Sequence, residues 1–266
     1  MLNDLTLIGV AKGDCLLVHS SFKSMGLKKY SPLDVIETMI YFLGEEGTLV
    51  MPTFTYCYSG IWGMKPYNPK TSNGIDNGIL TETFRKHPKA IRSGHPTYSI
   101  AAIGKHAKQI TQNKENSSPL GKGSSYEEVV KLKGKILLLG IKNNRNSMIH
   151  HAEAVSNLPY NDIPFRQFWT KIALVEKNGK TIKVPLTNEF PACSENFGIV
   201  EKYLMQKKIL KSGKICKAES MLIDSENMVK AILKRLETKP DWLLCNNLVC
   251  EPCTLRKRRL REKGLV

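Results

Sequence analysis

No stretch of this 266-residue chain is long and apolar enough to span a bilayer. Its longest apolar runs, such as KILLLGI (135–141), fall well short of the roughly 20 residues a spanning helix needs. The opening segment, MLNDLTLIGVAKGD, has neither a basic leader nor a long apolar region, so no secretory signal is expected and the expected compartment is the cytoplasm. Internal repeats and low-complexity tracts are missing as well. Acidic residues are scarce: 24 Asp and Glu stand against 40 Lys and Arg, a formal net charge of +16. Such a field repels a polycation and attracts an anion; nucleic acid, a nucleotide-bearing cofactor and an acidic membrane surface all fit it, and charge alone does not choose among them. The cysteines number seven, an odd count that does not suit a disulfide framework. What is present, 41% apolar and 24% charged residues, excludes a disordered chain and a collagen. The length fits one large domain, or one domain with a small appendage, and suffices to bury a core.

The hydrophobic pattern alternates between short apolar runs and helical segments. DCLLVHS (14–20) reads as a buried strand. Ser31-Pro32-Leu33-Asp34 opens a helix, with Ser31 as cap and Pro32 at the first helical position, and Gly44 stops it. GTLVMPTF (47–54) is a second strand; residues 58–77, rich in Gly, Pro, Asn and Ser, read as a long surface loop of the kind that covers sites; a short helix at 78–86 follows. TYSIAAIG (97–104) is a third strand, YEEVVKL (126–132) a helix, KILLLGI a fourth strand apolar enough to be buried on both faces, and NSMIHHAEAVSNL (146–158) a helix. WTKIALVEKNGKTIKVPL (169–186) is a hairpin turning at Asn178-Gly179, and helices are expected near 194–206 and 219–237. The order predicts an α/β fold: a single domain over 1–240 with a mixed central sheet flanked by helices, a β-hairpin insertion and C-terminal helices. A Cys-containing basic tail, 241–266, follows it.

Chemistry gathers beyond the fourth strand. On a helix, Ser147, His150 and Glu153 fall three apart and share nearly one face. A hydroxyl, an imidazole and a carboxylate thus line up beyond the carboxyl end of a buried strand, where open α/β sheets place their sites. The imidazole can take a proton near neutral pH, and a carboxylate can orient it; the bland alternative is an ordinary His150-His151 pair on a half-exposed helix. In VHSSFKSMG (18–26), small hydroxyl residues leave backbone amides open to a phosphate, and RSGHPTYS (92–99) offers an Arg for the same purpose; a polar turn and a surface ion pair are the alternatives.

Taken in order, LLVHSSFKSMG, GTLVMPTFT (47–55), RSGHPTYSIAAIGKHA (92–107), GKGSSYEEVVKLKGKILLLG (121–140) and NSMIHHAE (146–153) resemble five blocks of the aminoglycoside 3-N-acetyltransferase family. Cys193-Ser194 and Phe197 resemble the start of a later family helix. The resemblance implies an acetyl-CoA-dependent N-acyltransferase of an amino group that works by direct transfer, without a covalent enzyme intermediate. His150 would be the general base, Glu153 its partner or the group that positions the amine, and Ser147, where the family has Thr, a donor to the tetrahedral intermediate. Ser20, Ser21, Arg92, Ser93 and Ser124 would face the phosphates and pantetheine arm of the coenzyme. Its partners would then be a CoA thioester and a small amine, with self-association left open.

Three features depart from that family. A charge of +16 and a loop with Lys65 and Lys70 against Asp76 favour an anionic acceptor, such as a nucleotide-linked amino sugar for surface-polysaccharide synthesis, over a polycationic antibiotic. An aminoglycoside enzyme conferring resistance, and a non-catalytic nucleic-acid-binding protein on the same fold, are the alternatives; the second lacks any recognisable DNA-binding motif. Cys245, Cys250 and Cys253 form C-x4-C-x2-C, three candidate ligands for a structural zinc whose fourth would come from Cys193, Cys216, an Asp or another subunit. Free thiols, or part of an iron–sulfur pattern, are the other readings. The tail 254–266 carries a net +5 and reads either as a solvated terminus or as a docking strip for nucleic acid or anionic lipid.

Overall fold

The computed structural model describes residues 1–55, 66–74, 77–163, 172–186 and 193–266. Along the chain run α1 (Leu2–Ile8), β1 (Cys15–Ser20), α2 (Pro32–Leu43), β2 (Thr48–Pro52), α3 (Gly78–Arg85), β3 (Ile91–Arg92), β4 (Ile100–Gly104), α4 (Ala107–Thr111), α5 (Ser125–Lys131) and β5 (Lys135–Leu139). Then follow α6 (Ser147–Ala154), β6 (Ile172–Lys177), β7 (Lys180–Pro185), α7 (Gly198–Gln206), β8 (Leu210–Ile215), β9 (Ala218–Asp224), α8 (Ser225–Thr238) and α9 (Glu251–Glu262).

Seven strands form one mixed sheet in the order β3-β4-β2-β1-β5-β9-β8. The central three, β2, β1 and β5, are parallel; β4, β9 and the edge strands pair antiparallel around them. Successive side chains point to opposite faces of a strand, and the core divides accordingly. Leu17, Val50, Ala102, Ile136 and Leu138 pack with residues of α4, α5, α6, α7 and α8. Leu16, Val18, Leu49, Met51, Leu137 and Leu139 pack with α1, α2 and α3. Both faces of β5 are therefore covered, which is why residues 136–139, ILLL, are apolar and buried throughout.

Local signals explain most boundaries. The Ser31 hydroxyl accepts from the Asp34 amide while the Asp34 carboxylate accepts from the Ser31 amide, a reciprocal cap on α2. Asn178 and Gly179 both have positive φ, 52° and 72°, as the tight β6–β7 turn requires. Residues 169–171 of the expected hairpin lie outside the described residues.

The structure corrects several expectations. Residues 219–224 are strand rather than helix: Ala218–Asp224 pairs with β5 and β8, and the helix begins only at Ser225, with Asp224 as its cap. Residues 194–206 divide into a single 3-10 turn at 195–197 and α7. The loop read over 58–77 has residues 58–65 and 75–76 outside the described residues. Within its described part, Tyr67 is fully buried, donates to the Ser93 carbonyl at 2.6 Å and bridges to Val175, so it anchors a stretch whose Lys70, Thr71 and Asn73 stay exposed. The basic tail is a docked helix, α9, whose Arg256 is wholly buried.

Candidate active site

Adjacent parallel strands β1 and β5 send their chains to opposite faces of the sheet: β1 leads into α2 on one side, and β5 into α6 on the other. A divergence of this kind is where sheets of this type place a ligand crevice, at the carboxyl ends of the two strands. The turn after β1 and the turn after β5 meet there. Ser21 donates its amide to the Leu139 carbonyl at 2.8 Å, and the Ser24 hydroxyl bonds Ser21 and the Gly140 carbonyl at 2.9 and 3.2 Å. Gly140 has φ 68°, and a Cβ on it would come within 2.5 Å of the Ser24 Cβ, so this close approach demands glycine.

Asn143 and Asn146, both buried, then set the start of α6. Asn146 caps the helix by accepting from the Met148 amide at 3.1 Å, and its own side-chain amide donates to Asn143 at 3.1 Å. Neither residue stands out in the sequence as a site residue, although an Asn directly before an apolar helical run is a recognisable cap signal. The cap fixes the direction in which α6 leaves the crevice.

On α6 the expected helical spacing brings His150 and Glu153 together. His150 Nδ1 lies 3.2 Å from Glu153 Oε2, and the His150 ring is tilted against Phe197 with centroids 4.6 Å apart. His150 keeps part of its surface exposed, whereas Glu153 is only 3% exposed. Its second oxygen accepts from Arg256 at 3.0 Å, and the Arg256 guanidinium stacks over Tyr160 at 5.0 Å. Burial pushes the Glu153 carboxyl toward neutrality, but the positive charge of Arg256 and the contact with His150 outweigh it and hold the pKa below its ordinary value. An ionised carboxylate only accepts, so His150 must donate through Nδ1–H, and in the neutral form of the ring Nε2 is then the atom with the lone pair. Nε2 makes no hydrogen bond among the described residues. Ser147, in the first turn of α6 and 9% exposed, lies beside the buried Tyr126 phenol, which burial keeps protonated.

The remaining candidates divide. Ser20 ends β1 and Ser21 opens the turn after it; the Ser20 hydroxyl, like His19 Nε2, is buried without a hydrogen-bond partner among the described residues. Burial lowers the His19 pKa to about 4, so that ring is neutral. Arg92, Ser93 and Ser124, expected to face the phosphates and pantetheine arm of the coenzyme, are each engaged within the protein. Arg92 donates to Thr53, Ser99, Pro69 and Ser72 and stacks on Tyr67, tying β3 to the chain after β2. Ser93 is fully buried, with its hydroxyl accepting from the Ile100 amide at 3.0 Å. Ser124 is fully buried as the cap of α5. His151, adjacent to His150, turns inward to the Leu120 carbonyl.

Away from the crevice, Cys193, Cys245, Cys250 and Cys253 converge, with their sulfur atoms all within 4.8 Å of one another. Of the two cysteines proposed as a fourth ligand, Cys193 is present in this group and Cys216 is not.

Three layers, a switch-point crevice and a partly exposed histidine held by an ionised buried carboxylate define a site suited to proton transfer on a small molecule. The comparisons place it further: the model of the family described as aminoglycoside 3-N-acetyltransferase matches residues 17–237, and the chain belongs to that family. It is 34% identical over 242 residues to aminoglycoside N(3)-acetyltransferase IV from Salmonella sp., covering 90% of this chain and 87% of the relative. The crystal structure of the apoenzyme of aminoglycoside acetyltransferase AAC(3)-IVa superposes with a TM-score of 0.83 at 32% identity, over 97% of this chain and 95% of that one. A His-to-Ala variant of that enzyme, in complex with a gentamicin, superposes with a TM-score of 0.82 at 32% identity over the same shares. No helix among the described residues is long and apolar enough to cross a membrane.

Proposed function

We propose that the chain transfers the acetyl group of acetyl-CoA to an amine of an amino sugar, with aminoglycosides as the leading acceptor class. The observation that carries the reading is the His150–Glu153–Arg256 chain on the crevice side of α6. The named activity of the relatives, and the gentamicin bound to one of them, support the acceptor class.

In this reading the amine nitrogen attacks the thioester carbonyl while its proton passes to His150 Nε2. The C–N bond forms, the C–S bond breaks, and the imidazolium returns the proton to the departing sulfur. Glu153 stabilises the charged ring and fixes its tautomer. Ser147, at the positive end of α6, is placed to donate to the oxyanion. No nucleophilic side chain is needed, because attack by an oriented neutral amine requires chiefly proximity and a base. For the coenzyme phosphates, exposed Lys23, Lys142 and Arg145 in the turns after β1 and β5 supply positive charge beside the candidate Ser20 and Ser21.

A second reading keeps the chemistry and changes the acceptor. A net charge of +16 favours an anionic, nucleotide-linked amino sugar by long-range attraction. Acetyl transfer measured side by side on gentamicin-type aminoglycosides and on nucleotide-linked amino sugars separates the two. A higher kcat/KM on the antibiotic supports the first, a higher value on the nucleotide sugar supports the second, and no transfer to either with acetyl-CoA refutes both.

A further inference from the structure

We propose that Cys193, Cys245, Cys250 and Cys253 bind one structural zinc ion as four thiolates, and that this ion clamps α9 against the body of the protein. Nothing in the acetyl-transfer chemistry uses these residues.

The geometry is that of a metal site lacking only a small contraction. Cys193 and Cys245 sulfurs are 3.9 Å apart, and all four lie within 4.8 Å. Four sulfurs at about 2.3 Å from a central zinc stand about 3.8 Å from one another in a regular tetrahedron. None of the four is in a disulfide. Cys193, Cys245 and Cys253 are buried, Cys250 is half-buried, and Cys193 already accepts from the Glu195 amide at 3.3 Å. An all-sulfur tetrahedral set suits zinc or iron among the common metals; with no second cysteine group nearby among the described residues, a single zinc is the simpler occupant. Binding leaves all four sulfurs as thiolates, the remaining thiol protons passing to solvent, with a net charge of −2 at the centre. Lys257 stands beside it, donating to the Cys245 carbonyl at 2.8 Å and to Asn246 at 2.7 Å.

The chain around the cysteines needs such a fastening. Cys193 precedes α7, Cys245 and Cys250 lie in the connection between α8 and α9, and Cys253 is in the first turn of α9. The local apolar cluster is small: besides three of the cysteines it holds Tyr160, Ile163, Leu244 and Leu260. Helix α9 is 12 residues long and strongly basic, with only Pro252, Cys253, Arg256 and Leu260 buried. Helices this short and polar are marginal without tertiary anchors. Cys253 and Arg256 are three residues apart, on one face, so an ion that fixes the first also sets the guanidinium that reaches Glu153. This last step, from clamp to activity, rests on the acetyltransferase reading above; the metal site itself does not.

The test is the metal content of the full chain, purified without metal-affinity resin from zinc-supplied medium. About one zinc per chain is expected, released when a mercurial blocks the thiols. Replacement by cobalt(II) should give the charge-transfer and ligand-field bands of a tetrahedral thiolate site. Cys245→Ser should lose the zinc; should that variant fail to fold, the wild-type stoichiometry and cobalt spectrum still decide. Zinc-free protein, or iron in its place, overturns the assignment. Stripping the ion should lower Tm by roughly 10 °C or more and cut acetyl transfer; a zinc-bearing chain whose Tm is unmoved by stripping overturns the clamp. A chain that holds zinc yet acetylates no amine would sink the enzymatic reading and leave the metal site standing.

Discussion

Arg256→Met tests whether the candidate base is held by a buried ion pair. Arg256 is 0% exposed and Glu153 3% exposed, with 3.0 Å between guanidinium and carboxylate. Removing one partner of a buried pair strands the other charge, at a cost of about 3–5 kcal/mol. Against a total stability of about 5–15 kcal/mol, this is a large fraction. At about 2–4 °C per kcal/mol for a chain of this size, Tm should fall by roughly 6–20 °C. Methionine keeps much of the apolar volume over Tyr160, so lost packing contributes little. The stranded Glu153 would then take up a proton more readily, because the Arg256 charge is what offsets its burial. A neutral Glu153 no longer demands the Nδ1–H tautomer of His150, so kcat should fall and the acid side of its pH profile should shift. The double variant Arg256→Met with Glu153→Met removes both charges and should recover much of the lost stability while remaining poorly active. Urea unfolding of the three variants, with acetyl-transfer rates on each, reads both effects. A single variant within about 1 kcal/mol of the parent, or a double variant no more stable than the single, would refute the view of Glu153 as an ionised group dependent on Arg256.

His150→Ala should lower kcat by about 10²-fold or more and leave Tm nearly unchanged, because the ring is partly exposed and packs chiefly on Phe197; retained turnover would remove His150 as base. Lys142→Ala with Arg145→Ala should raise KM for acetyl-CoA several-fold with little change in kcat; an unchanged KM means the phosphates lie elsewhere. His19 and His95 are buried, with pKa values lowered from 6.5 to about 4, so the unfolded chain binds more protons between those limits. Stability should therefore fall as pH drops from about 6.5 toward about 4, by roughly 3 kcal/mol for each ring at 1.36 kcal/mol per unit; His95→Gln should flatten that slope in urea titrations. Ser31→Ala should cost about 1 kcal/mol through loss of the α2 cap, and Asp34→Ala should then add little, since the two act together.

Legibility in the sequence followed the range of the interaction that decides each feature. The α2 start, the β6–β7 turn and the His150–Glu153 pair rest on contacts three residues apart or fewer, and all three could be read from spacing. The β8–β9 hairpin could not. Its turn at Cys216-Lys217 has neither Asn-Gly nor Asp-Gly, and AESMLID contains good helix formers that become strand only because β5 offers an edge. Arg92 and Ser93 were recognisable as part of a family block, but their spacing could not distinguish a phosphate ligand from groups that fasten β3 to its neighbours. The most distant determinant was also the least visible. Arg256 stands 103 residues from Glu153, inside a run of basic residues that by composition resembles a solvated terminus. Only folding separates it from its neighbours: Arg258 and Arg261 remain exposed, while Arg256 enters the core because a buried carboxylate awaits it. The buried Arg256–Glu153 pair adds nothing to the net charge of +16, and charges farther from a ligand than about a Debye length are largely screened, so the choice between a cationic and an anionic acceptor turns on the local field around His150 rather than on the sum over the chain.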